Sequence, residues 1–103
     1  MRIIREGKKL RISDLGELGA GNCGVFQDAL TASLAPNVTE IDIDLSKTGF
    51  LDCGGVGALV SLRKLIQRRG NSTAIRLLNP TSSAQKLFQL TRMDRLFPIE
   101  ESC

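Results

Sequence analysis

The sequence predicts an α/β protein, an open mixed sheet of four to five strands with about three main helices packed on it. Three observations carry this. Residues 38–45 read as a strand, in which Ile41, Ile43 and Leu45 alternate with Asp42 and Asp44 with period 2. Over residues 56–69 the spacing becomes helical, with Val56, Leu59, Leu62 and Ile66 on one apolar face. Over residues 73–78 the strand pattern returns, with Ile75 and Leu77 on one face. Strand, helix and strand in that order give a parallel pair joined by a right-handed crossover.

The remaining elements follow in chain order. Residues 3–5 and 9–15 read as two strands around Glu6-Gly7-Lys8, a hairpin turn. Leu10 and Ile12 face the core there, and Lys9, Arg11 and Ser13 face water. Residues 15–21 read as a loop by glycine content. Asn22 is an N-cap for a helix reaching about Leu34, with Phe26, Leu30 and Leu34 as its apolar stripe and Val25 and Ala29 beside them. Pro36-Asn37 stops that helix, and Gly70-Asn71 ends the helix over residues 56–69. Ser82 with Gln85 has the spacing of a capping box for a helix carrying Ala84, Leu87, Phe88 and Thr91. Residues 92–97 read as a turn and 97–99 as an edge strand, proline restricting it to that position. Residues 100–103 read as a flexible tail.

Composition narrows the function. The 103 residues form one domain, 1–103, with no internal repeat and no linker. Histidine is absent, which removes the commonest general base and the commonest metal ligand. With no histidine, a cysteine-based hydrolase is rejected and no cofactor or metal site is read, while catalysis by Asp, Glu, Lys or Cys stays open on composition alone. The net charge of +3 is mild and scattered, and there is no Trp or Tyr on which nucleic-acid bases could stack. No stretch is apolar enough for a membrane span or a signal peptide. Cys23, Cys53 and Cys103 are odd in number and lack metal spacing, as expected for reduced thiols in a cytoplasmic protein.

The loop over residues 46–52 lies at the carboxyl end of a strand, where open α/β sheets place their sites. Here Asp42-Ile43-Asp44-Leu45-Ser46 leads to Asp52-Cys53-Gly54-Gly55-Val56-Gly57-Ala58-Leu59. Together with Gly16-Glu17-Leu18, Leu78-Asn79-Pro80 and the ending from Leu90-Thr91-Arg92 to Phe97-Pro98-Ile99, this resembles the STAS domain. That family comprises bacterial anti-sigma factor antagonists and their relatives in transporters. The resemblance implies a protein-interaction module in a partner-switching pathway of transcription regulation. Its partner would be an anti-sigma factor that is also a serine kinase, bound at the loop and the first turns of the next helix. Ser46, Thr48, Phe50, Asp52, Cys53, Gly54, Gly55, Gly57, Ser61 and Lys64 are the partner-binding candidates. The alternative is an accessory subunit of a lipid-transporting ABC complex, with the transporter ATPase as partner.

Family antagonists are phosphorylated in an Asp-Ser-Ser-Gly pattern. Aligning it places Asp52 on the Asp, Cys53 on the first Ser, Gly54 on the phosphoacceptor and Gly55 on the glycine. Gly54 has no hydroxyl, so that position cannot take phosphate. The sequence also departs from the family at Gly19, where Asp is common, and at Arg92, where Gly ends the last helix.

Plainer readings stand beside these. Asp52 caps the helix that follows, a role compatible with partner contact. Gly54, Gly55 and Gly57 allow close approach of a neighbour, or leave N–H groups for an anion. Cys53 is a small buried thiol or a redox-sensitive one. Phe50 anchors the loop in the core. Ser61, Lys64 and Arg68 form a polar stripe that a solvated helix face also explains.

Overall fold

The computed structural model describes residues 1–34, 37–68, 73–92, 95 and 99–100, the last two by backbone alone. The elements are β1 (Arg2–Glu6), β2 (Lys9–Ser13), β3 (Glu17–Leu18), α1 (Cys23–Ser33) and β4 (Glu40–Asp44). They continue with β5 (Phe50–Leu51), α2 (Cys53–Arg68), β6 (Ala74–Leu78), α3 (Ser82–Leu90) and β7 (Ile99–Glu100). The main sheet has the order β1-β2-β4-β6-β7. β1 runs antiparallel to β2, while β2-β4, β4-β6 and β6-β7 are parallel, so the sheet is open and mixed as expected. β3 and β5 form a separate two-stranded parallel sheet.

Register follows the apolar pattern. Ile3, Ile12 and Ile43 share one row with Leu77, and Leu10 shares the next with Ile41 and Ile75. These side chains meet Phe26 and Leu30 of α1, Leu59, Leu62 and Ile66 of α2, and Phe88 of α3 in one core. Val25, expected beside that stripe, is 68% exposed instead. The β1–β2 connection is a two-residue turn with Gly7 at φ +60, and only glycine enters that region without steric cost.

The opposite sheet face holds what alternation alone does not reveal. Asp42 on the central strand is only 2% exposed. Arg76, directly across on β6, donates from Nε and Nη2 to its two oxygens at 2.8 Å each, and Lys9 Nζ lies 2.8 Å away. A buried carboxylate is tolerated only with such partners. Lys9 and Arg76 keep about a third of their side-chain surface in water and so shield Asp42 without full desolvation of their own charges.

Two caps differ from expectation. The N-cap of α3 is Thr81, whose hydroxyl accepts from the Ala84 N–H at 3.3 Å. Ser82 is already helical, and the Gln85 side chain donates to the Pro80 carbonyl rather than closing a capping box. Asn22 stands at the N-cap of α1 but makes no capping bond; its side chain is used in the preceding loop. Glu100, expected in the tail, pairs with Leu78 in β7. The expected stops at Pro36 and Gly70-Asn71, the start of the last strand at residues 97–98, and residues 101–103 lie outside the described residues.

Beyond α3, Arg92 adopts φ 58 and its N–H reaches the Gln89 carbonyl at 3.3 Å. A non-glycine residue there carries a steric cost of about 1 kcal/mol. Arg92→Gly should therefore raise the unfolding free energy by about that amount in urea titration. For Asp42, burial alone would raise the carboxyl pKa, but the bonds from Arg76 and Lys9 outweigh it and hold the pKa below its ordinary value. Its stabilisation is thus present above the unfolded-state pKa and is lost as pH falls through the folded one. Asp42→Asn should cost about 2–3 kcal/mol at neutral pH. Urea unfolding at pH 7 and pH 3 should show the gap between the two proteins shrinking on acidification.

Candidate functional site

Beyond the carboxyl end of β4, the loop turns by a local mechanism. The Asp44 carboxylate accepts from the Ser46 N–H at 2.9 Å, an Asx turn, and the Thr48 N–H reaches the Leu45 carbonyl at 3.1 Å. Thr48 then points inward. It is 1% exposed, and its hydroxyl donates to the Leu15 carbonyl at 2.6 Å. Thr48 is therefore a clamp between two loops and no part of a contact surface. Lys47 pairs with Asp14 at 2.9 Å. The Lys47 bond and charge hold the Asp14 carboxyl below its usual range.

After the Gly49 N–H meets the Gly16 carbonyl at 3.0 Å, β5 pairs with β3, Phe50 opposite Glu17 and Leu51 opposite Leu18. The Asp52 N–H extends this pairing to the Leu18 carbonyl at 3.3 Å. The Asp52 side chain does two things at once. Its Oδ1 accepts from the Gly55 N–H at 3.1 Å, capping α2, and from the Ala20 N–H at 3.1 Å in the β3–α1 loop. That loop is itself held by Asn22, which accepts from the Gly19 N–H at 2.9 Å and donates to the Glu17 carbonyl at 2.8 Å.

The glycines explain how the loops approach. A Cβ on Gly54 would lie 2.7 Å from the backbone of Ala20, and one on Gly55 would collide with the Leu18 carbonyl. One on Gly19 would come within 2.9 Å of both Asp52 Oδ2 and Phe50 Cε1. An aspartate at position 19 would also face the Asp52 carboxylate, so this loop geometry favours glycine there. A Cβ on Gly57 meets only open space. Close approach is thus the role of Gly54 and Gly55. An anion at the start of α2 is disfavoured, because Asp52 already occupies the Gly55 N–H and brings negative charge.

Of the candidate residues, Ser46, Phe50, Cys53, Gly57, Ser61 and Lys64 are exposed, Asp52 and Gly54 are half-buried, and Thr48 and Gly55 are buried. Phe50 is 54% exposed, so it presents its ring to solvent rather than anchoring the core. Cys53 is likewise exposed, against the expectation of a buried thiol. Among the described residues no cluster of His, Cys, Asp or Glu is arranged to hold a metal ion. Down the helices, Ser61, Lys64 and Arg68 of α2 face Gln27, Asp28 and Thr31 of α1 across a groove of about 330 Å³. The polar stripe was legible from α2 alone. Its opposing wall on α1 was not, because helical spacing does not say which helices are neighbours.

Comparison with known proteins agrees with this architecture. A crystal structure of TM1081 from Thermotoga maritima, a proposed anti-sigma factor antagonist, superposes with a TM-score of 0.86 at 20% identity, covering 98% of this chain and 86% of that one. An NMR structure of TM1081 gives a TM-score of 0.81 at 20% identity, covering 97% and 79%. The anti-sigma factor antagonist SpoIIAA in its unphosphorylated form gives 0.79 at 21% identity, covering 99% and 87%. At these identities the likeness is one of fold. No curated protein sequence matches the chain. Among the described residues, no helix is long and apolar enough to cross a membrane. The family model described as "Mlab, STAS domain" matches residues 1–99, and the chain belongs to the STAS domain family.

Proposed function

We propose that this chain is a non-enzymatic, cytoplasmic interaction module that acts like an anti-sigma factor antagonist in partner switching. It binds an anti-sigma factor of the serine-kinase type through the 46–52 loop and the first turns of α2. The observation that carries this reading is the surface around Asp52. Phe50, Cys53 and Gly57 are exposed around a carboxylate that ties the β3–α1 loop to the first turn of α2. A rigid apolar ring beside fixed polar groups suits protein recognition. In the same reading, Gly54 stands at the phosphoacceptor position, and the module is held in its binding form. A phosphate there would add about −1.5 to −2 charges beside Asp52. The backbone of Ala20 lies against Gly54, so even the methylene of a serine would require the β3–α1 loop to move.

A second reading is kept because the family model carries the name Mlab rather than that of an antagonist. It is an accessory subunit of a lipid-transporting ABC complex, which would use the same surface on the transporter ATPase. Affinity capture from the native host separates the two, with Asp52→Lys as the contact-defective control. An anti-sigma kinase recovered by the wild type and lost in the control supports the first reading, and an ATPase with a permease supports the second.

Incubated with such a kinase and ATP, the wild-type chain should take up no phosphate on the 46–57 segment by mass spectrometry; stoichiometric phosphate there would overturn the fixed-state reading. Gly54→Ser should lower stability by about 1–3 kcal/mol, because the added atoms meet backbone. Gly57→Ala, in open space on the same helix, should raise it by about 0.5–1 kcal/mol. Urea titration of the two variants checks both.

A further inference from the structure

We propose that β1 is a self-complementary edge through which two copies of this chain pair antiparallel about Ile4, joining their main sheets across a two-fold axis. Among the described residues β1 ends the sheet order and pairs with β2 alone in that sheet. Arg2, Ile4, Arg5 and Glu6 are exposed, Ile4 by 39%. Among the described residues Arg2, Arg5 and Glu6 form no ion pair.

The backbone fixes which pairings are possible. Glu6 and Lys9 close the two-residue turn and so form a hydrogen-bonded pair. Alternation then directs the N–H and C=O of Glu6, Ile4 and Arg2 toward β2. Those of Ile3 and Arg5 point to the free edge. An unpaired edge of this kind is a template for another strand.

The side chains select the register. Centred on Ile4, Arg2 faces Glu6 of the second copy at both ends, and the two Ile4 side chains meet between them on the same face. Ile3 and Arg5 of opposite copies then exchange their outward backbone bonds, and the Arg5 stem covers the half-exposed Ile3. Centring on Arg5 would set like charges face to face, and centring on Ile3 would leave Glu6 without a counter-charge. Only the Ile4-centred arrangement satisfies charge, apolar contact and backbone together. The contact is isologous, so it closes at two copies. It lies on a sheet edge and involves none of the partner-binding candidates.

The test is sedimentation equilibrium of the full chain over a dilution series. The wild type should move from one chain mass toward two as concentration rises, and no further. Arg2→Glu sets carboxylates opposite each other at both ends and should weaken association at least tenfold. Adding Glu6→Arg to it should restore the wild-type dissociation constant. Arg5→Pro removes an outward N–H that β2 does not use and should abolish the dimer while circular dichroism still shows the fold. A wild type that stays at one chain mass, assembly beyond two copies, an unchanged dissociation constant in Arg2→Glu, or failure of the reversed pair to rescue would each overturn the proposal.

Discussion

The arrangement of this protein around its site depends on one carboxylate. Asp52 accepts from the first turn of α2 and from the β3–α1 loop through the same oxygen. Bonds from N–H groups to an ionised acceptor are stronger than neutral ones, and here one group caps its own helix and restrains a loop 32 residues away. The small sheet beside it would not hold by itself, since β3 and β5 contribute two residues each. What keeps it in place is Asp52 at its end, Thr48 tied to Leu15 below it, and two glycines that let Leu18 and Ala20 lie directly on α2.

A division of labour follows within a single short segment. Thr48 and Gly55 face inward and set positions, while Phe50 and Cys53 face outward and are presented. The outward residues lie on the short strand β5 and at the start of α2, and the segment leading to them is tied by backbone and side-chain bonds at nearly every step. The ordering cost of a contact made at this surface would be correspondingly small, because little backbone freedom remains to be lost.

The longer strands of the main sheet, their parallel crossover and the three described helices could be read from apolar spacing, because each is long enough for a period to repeat. The β3–β5 pair could not. Glu17-Leu18 and Phe50-Leu51 are too short to show any period, and Gly16 and Gly19 mark their surroundings as loop. Asp42 was hidden for a different reason. Its position in an alternating strand is that of a solvent-facing residue, and the sequence does not show that Arg76, directly opposite on β6, and Lys9, diagonal on β2, close over it. Phe50 and Cys53 defeated residue-type averages, which place aromatics and thiols inside. The cap of α3 shifted by one residue because Thr81 and Ser82 are both competent, and sequence alone does not choose between adjacent hydroxyls. The glycine run was legible as a turn, yet which glycine meets a neighbour depends on tertiary contact.

The connectivity of the main sheet has a consequence for how the chain reaches this structure. Among the described residues of the main sheet, a tight turn joins β1 to β2. The pairings β2–β4 and β4–β6 each bring together residues about thirty positions apart, with α1 or α2 in between. The central strand therefore has no local partner, and both helical crossovers must close before its two ladders can form. A chain built this way does not add strands one at a time onto a growing hairpin. Its sheet is cooperative by connectivity, with a high share of distant contacts and the slower folding that such contacts impose.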